Sequence, residues 1–247
     1  MSKLLSQNEV IDLFIKHLPQ HGFPGIKLDY RPDEQNRNSK DIDAIAGPLA
    51  IEHTSIDTVP NQRRYSDWFL QVIKPLENGY QSKLPYRIGI ILPYEGIQKG
   101  QDWSSITGAF REWIDTQSSK IPFSNRLQHY KDIPGIPFEF HVSKRESEFP
   151  GVIFSRIAPE DHTLPNRLKE QLDQKIEKLI PYKSKDKTTV LLVESDDIGL
   201  MNEDYMMDGL KAAYPNGLPS GLDMIWFADT SIPEEVLFYE MTGAFGI

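Results

Sequence analysis

The chain has no cysteine among its 247 residues. That absence excludes disulfides, thiolate zinc centres and cysteine nucleophiles. Any metal is left to carboxylate and imidazole ligands, and where carboxylates dominate the expected ion is Mg²⁺ or Mn²⁺. Long apolar runs are missing too: nothing reaches the ~18 residues that a membrane-spanning helix requires. The opening stretch "MSKLLSQNEVIDLFIKHL" is broken by polar residues, unlike the apolar centre of a secretory leader. The expectation is a cytoplasmic protein with no membrane partner. Positive charge is scarce, with 27 Lys and Arg against 36 Asp and Glu, a formal net charge of -9. Phosphate neutralisation supplies most non-specific affinity for nucleic acid, so this balance opposes broad binding of that kind. The dense basic groups are "NQRRY" at 61–65 and "KSKDK" at 183–187, and the second reads as a solvated loop between a helix and a strand.

What the chain does have is enough apolar residue, 39%, for a sizeable core. "SQNE" at 6–9 is a capping box, and Val10, Leu13, Phe14 and Leu18 follow at helical spacing. "GIKLDYRP" reads as a strand, and "DIDAIAG" and "LAIEHTSI" as a hairpin. Pro60 opens a second helix with a stripe of Tyr65, Trp68, Phe69, Val72, Ile73 and Leu76. "YRIGIILP" is a further strand. After Pro93 come a helix at "DWSSITGAFREWIDTQ", a proline-rich connection at 121–137, and a pair of strands at "FEFHVSKRE" and "GVIFSRIA". A charged helix at 163–180 leads to a buried strand at "TTVLLVESDD", a helix at "NEDYMMDGLKAAY", and extended segments at "LDMIWFAD" and "EVLFYEMT". With no repeat and no long linker, the reading is one mixed α/β domain over 1–247, a central sheet flanked by helices, with an insertion near 121–160.

The stretch "DIDAIAGPLAIEHTSID" at 41–57 carries the chemistry. Side chains alternate along a strand, so Asp41 and Asp43 share a face, Glu52 and Thr54 share a face, and His53 points the other way. Asp43 and Glu52 lie four residues either side of the Gly47-Pro48 turn, which makes them cross-strand neighbours. Two carboxylates that close, among Ile, Ala and Leu, need a cation or a shared proton. Mg²⁺ or Mn²⁺ held by Asp43 and Glu52 is the simplest compensation.

The segment "IDAIAGPLAIEHTSI" resembles the core of the PD-(D/E)xK nuclease superfamily, in which a strand of the form Ile-Asp-x-Ile-Ala turns into an apolar strand ending Glu-x-Lys. Asp43 takes the aspartate position, Glu52 the acidic position and Thr54 the lysine position. The order helix, three strands, helix, strand over 5–93 also matches. The resemblance implies a restriction-endonuclease-like core at 5–93 with a C-terminal extension of unknown role at 94–247. It further implies a hydrolase, a metal-dependent phosphodiesterase acting on nucleic acid, in which the ion held by Asp43 and Glu52 polarises a phosphate oxygen and activates a water for in-line attack.

Thr54 departs from that pattern, because it lacks the positive charge of lysine. Losing one such group costs on the order of 100- to 1000-fold in rate. Gln62 lies on the buried stripe of the second helix, and Arg63 or Arg64 in its first turn can supply charge, although arginine cannot act as a base. The competing expectation is a non-catalytic, nuclease-like binding or regulatory protein, for example in a defence or toxin-immunity setting. Pro32-Asp33 offers a rival aspartate, better explained as turn chemistry. His53 reads as a hydrogen-bonded core histidine, and Glu9 as a capping residue. The acidic pair Asp196 and Asp197 has too little chain after it for a phospho-receiver domain, and "HVSKRES" lacks a nucleophile elbow.

Overall fold

The computed structural model describes residues 5–35, 41–185, 187–197 and 199–245. The chain divides into two compact units, residues 1–60 with 161–247 and residues 61–160.

The first unit begins with α1 (Gln7–His17), a short helical turn α2 (Pro32–Gln35) and a hairpin of β1 (Ala44–Ala46) and β2 (Leu49–Ser55). The second unit then contributes α3 (Gln62–Tyr80), β3 (Arg87–Pro93), α4 (Trp103–Gln117), β4 (Ser124–Tyr130), β5 (Phe140–Arg145) and β6 (Gly151–Ile157). The first unit resumes with α5 (Leu164–Lys183), β7 (Thr188–Ser195), α6 (Glu203–Ala213), β8 (Met224–Asp229) and β9 (Leu237–Glu240).

In the first unit one sheet runs β1-β2-β7-β8-β9. β2, β7 and β8 are parallel, and the antiparallel strands β1 and β9 sit at its edges. Central strands of this kind are buried on both faces, which is why β7 carries the unbroken apolar run "VLLV". One face packs Leu49, Ile51, Val190, Leu192 and Trp226 against Val10, Ile11 and Phe14 of α1. The other packs Ile45, Ala50, Leu191, Val193 and Phe227 against α5 and α6. α1 starts as its capping box requires, with the Glu9 N–H donating to Ser6 Oγ at 3.3 Å and the Ser6 N–H to Glu9 Oε2 at 2.7 Å. The hairpin turn is Gly47-Pro48, and Gly47 adopts φ of 51°, a value a side chain would resist.

In the second unit a sheet of order β4-β5-β3-β6 carries α3 and α4 on one face, over Ile88, Ile90, Phe140, Val142 and Phe154. Glu77 of α3 accepts the Phe154 N–H at 2.8 Å, so a helix side chain occupies a strand donor on the β6 edge.

Several expectations change. Residues 5–93 do not form one contiguous core: β1 and β2 lie in one sheet and β3 in the other, because a sequence of elements does not specify which sheet each joins. "GIKLDYRP" pairs only at the Tyr30–Ile45 bridge before Pro32 turns the chain into α2. The connection at 121–137 contains β4, and β5 and β6 flank β3 instead of pairing with each other. No helix among the described residues is long and apolar enough to cross a membrane.

Candidate functional site

The hairpin register pairs Ala44 with Ile51, Ile45 with Ala50 and Ala46 with Leu49. One step further out, Asp43 stands opposite Glu52. β1 has ended by then, and the Asp43 side chain takes over its hydrogen bonding: Oδ2 accepts the backbone N–H of His53 at 2.6 Å. Asp43, Glu52, His53 and Thr54 are all buried.

Glu52 shares the face of Ala50, toward α5. That helix buries Leu168, Leu172, Ile176 and Leu179 against the sheet, and Lys175 and Lys178 border this stripe. Their aliphatic stems cover apolar surface while the ammonium groups turn inward. Both donate to Glu52 Oε1, each at 2.7 Å. Lys178 also donates to the Asp41 carbonyl at 3.2 Å, and the Tyr182 hydroxyl donates to the Asp41 carboxylate. Burial and that carboxylate keep the Tyr182 phenol protonated well above its usual range. Glu52 itself is fully buried, and its second oxygen, Oε2, has no hydrogen-bond partner among the described residues.

Burial, then the charge of Asp43, raises the pKa of Glu52, and the two lysines oppose that rise. Asp33 is raised for related reasons, burial first and Asp43 second. Asp43 therefore repels both carboxylates, and the rival aspartate of the Pro-Asp turn belongs to the same electrostatic neighbourhood. Among the described residues no group of three or more Asp, Glu or His side chains converges as a ligand set. A pair can still serve a small divalent cation, since Mg²⁺ is commonly held by one or two carboxylates and keeps several waters. An orphaned, buried carboxylate oxygen in an acidic pair fits that donor chemistry.

Thr54 follows Glu52 on the α5 side of β2, level with Val193. On the opposite face His53 Nε2 meets Glu194 Oε2 at 2.8 Å, and Thr230 Oγ1 donates to Glu194 Oε1 at 2.8 Å. The imidazole is thus engaged in a buried network away from Glu52. Gln62, Arg63 and Arg64 open α3 and belong to the second unit, whereas Asp43, Glu52 and Thr54 belong to the first. Gln62 is buried and both arginines are exposed.

Sequence reasoning missed Lys175 and Lys178. Within "QKIEKL" their spacing on a charged helix is that of a solvated face, and the only local hint is that both adjoin the apolar residues Ile176 and Leu179. Arg167 was missed as well: it donates to the carbonyls of Asp57 and Thr58, both at 2.6 Å, and pairs with Asp161 at 2.7 Å. It fastens the segment leaving β2 to the start of α5. No family model, no curated protein and no solved structure matches this chain.

Proposed function

We propose that the protein is a metal-dependent phosphodiesterase acting on nucleic acid, with a PD-(D/E)xK-like core assembled from α1, β1, β2, α5 and β7. The observation that carries this reading is the contact of Lys175 and Lys178 with Glu52. The positive charge that Thr54 cannot provide arrives from the neighbouring helix, on the carboxylate that the hairpin pattern singled out.

Asp43 and Glu52 would hold Mg²⁺ or Mn²⁺, with Glu52 Oε2 as the open ligand atom. Bound there, the ion would supply Lewis acidity to a phosphoryl oxygen. The remaining work falls to the chain's own groups. The His53 N–H fixes one oxygen of Asp43 and so orients the other. Lys178, tied to both Glu52 and Asp41, holds the Glu52 carboxylate in place. Lys175 has its polar contact with Glu52 alone among the described residues, and it is the cation that can turn to a phosphate and offset charge that develops there.

The test measures melting with millimolar Mn²⁺ on the wild type, Asp43→Ala and Glu52→Ala, beside cleavage of labelled DNA and RNA. Stabilisation of the wild type alone is expected, about 2.7 kcal/mol at a hundred times Kd, with cleavage lost in both variants. Equal shifts in all three proteins would remove the metal pair.

A second reading rests on charge balance. Two lysines and two carboxylates can neutralise one another without an ion, which suits a non-catalytic scaffold for binding or regulation. That reading expects no Mn²⁺ stabilisation and no cleavage.

A further inference from the structure

α1 ends at His17, and the short helical turn Leu18–His21 carries the chain to a second histidine before Gly22 breaks the helix at φ of 90°. The two imidazoles stand at i and i+4, the spacing at which helical histidines share an ion. Their ring centroids are 4.4 Å apart and their planes are tilted by 31°. Both rings lie nearly perpendicular to Trp226 of β8, at 5.9 Å for His17 and 5.1 Å for His21, and His17 also meets Phe238 of β9 at 5.1 Å. Trp226 and Phe238 pack on the α1 face of the sheet, whereas Glu52 faces α5. Two polar atoms of this cluster are buried and have no hydrogen-bond partner among the described residues: His17 Nε2, and Nε1 of Trp226, a residue only 1% exposed. Buried groups of this kind ordinarily find a partner.

We propose that His17 and His21 hold a late first-row divalent ion, Ni²⁺, Cu²⁺ or Zn²⁺. Such an ion takes up the orphaned lone pair of His17, and a water bound to it gives the Trp226 N–H an acceptor. Neutral imidazole is the commonest protein ligand for these metals. Burial, then the neighbouring His21, lowers the pKa of His17 and so favours its neutral form. An imidazole nitrogen binds zinc at about 2.0–2.1 Å, so two that share one ion lie at most about 4.2 Å apart. Rings with centroids 4.4 Å apart meet that spacing by side-chain rotation alone. The end of a helix, with its unpaired carbonyls, also favours positive charge. His21 is exposed, which gives an ion a way in from solvent. No third His, Asp or Glu among the described residues converges on the pair. Glu240, level with Trp226 across the β8–β9 ladder, has one oxygen on the Thr242 N–H at 2.8 Å. Two nitrogen ligands and water select ions late in the Irving–Williams order over Mn²⁺, and carboxylate-seeking Mg²⁺ is poorly served. This ion is therefore separate from the one proposed for Asp43 and Glu52.

The experiment titrates the full chain with Zn²⁺ and with Ni²⁺ by calorimetry in excess Mg²⁺, follows melting in the same buffers, and records the electron paramagnetic resonance spectrum of the Cu²⁺ complex. It uses the wild type and the variants His17→Phe, His21→Ala, Asp43→Ala and His141→Ala. The last is included because His129 and His141 form a second stacked imidazole pair, 5.0 Å apart, in which Glu139 already engages His129 Nε2. The wild type is expected to bind one ion, to melt at a higher temperature with it, and to show hyperfine splitting from two nitrogens in the Cu²⁺ spectrum. His21→Ala, at an exposed position, should leave metal-free melting unchanged and weaken binding by at least about ten-fold, the smallest loss typical when support of a metal ligand is disturbed. His17→Phe should lose binding in the same way, and Asp43→Ala and His141→Ala should bind as the wild type does. No binding in excess Mg²⁺ overturns the proposal and leaves the two orphaned atoms to a bridging water. Undiminished binding by His21→Ala, a Cu²⁺ spectrum with fewer than two nitrogens, or loss of binding in Asp43→Ala or His141→Ala overturns it as well.

Discussion

The carboxylate of Asp43 accepts the backbone N–H of His53 at 2.6 Å, continuing by side chain a ladder whose backbone pairing stops at Ala44. The bond uses one Asp43 oxygen and holds the group at the rim of the hairpin, opposite Glu52. Asp43→Asn keeps a side-chain oxygen for His53 while removing the charge. It should therefore retain most stability and lose Mn²⁺ stabilisation, whereas Asp43→Ala loses both. Melting of the two variants with and without Mn²⁺ separates the roles; equal melting temperatures without metal would show that the hydrogen bond contributes nothing.

Mn²⁺ stabilisation should grow with pH. The folded-state pKa of Glu52 lies above its ordinary value, so the folded protein holds this proton more readily than the unfolded chain. Its own effect on stability therefore becomes less favourable as pH rises from the ordinary glutamate value through the raised one. An ion must displace that proton, so its affinity increases across the same window. Melting from pH 4.5 upward, with and without Mn²⁺, measures both trends, and a metal shift that ignores pH would place the ion elsewhere.

Lys175→Met and Lys178→Met should each cost little, since one ammonium still serves Glu52 Oε1. The double variant leaves a buried carboxylate facing Asp43 without compensation, and breaking a buried pair costs about 3 to 5 kcal/mol. A double-mutant cycle by urea unfolding should thus show strong non-additivity, with Glu52→Gln in the double background recovering much of the loss. Simple additivity would mean that the two lysines act independently of Glu52.

Thr54→Lys should destabilise the wild type, because a third ammonium would enter a buried site already neutralised by two. In the Lys175→Met/Lys178→Met background the same change should stabilise, by returning one cation to the carboxylates. If Thr54→Lys has the same sign of effect in both backgrounds, the lysine position and the α5 cations do not substitute for one another.

His17 gives a separate acid response. Burial, then neighbouring His21, lowers its pKa. For a histidine held below its unfolded value, stability is present above that value and falls as pH drops through it. His17→Phe should flatten the dependence of melting temperature on pH between about 7 and 5, while an unchanged profile would assign the acid response to other groups.

The hairpin was legible because its signals are local. Gly47 and Pro48 mark the turn, and alternation alone puts Glu52 and His53 on opposite faces. The α5 cations were not, since Lys175 and Lys178 reach Glu52 across 123 and 126 residues of sequence, and a lysine on a charged helix looks the same whether its ammonium meets water or a buried carboxylate. β3 misled for a related reason: its apolar run follows α3 as the fourth strand of a nuclease-like core would, yet it completes the other sheet. β4 escaped notice because "SNRLQHY" is polar, and its ladder with β5 carries a register shift between Ser124 and Gln128.

The insertion of a whole unit between β2 and its parallel partner β7 also sets a timetable for synthesis. His53 and Glu194 meet across 141 residues, and a ribosome adding about 5 to 20 residues per second takes roughly 7 to 28 s to bring the second into existence after the first. Until α5 and β7 emerge, the hairpin "AIAGPLAIEHTS" has neither its central strand nor the lysines that neutralise Glu52. During that interval the nascent chain exposes an apolar edge strand, the kind of surface that recruits chaperones or other nascent chains. The inserted unit, residues 61–160, is complete before α5 is made and is free to fold first.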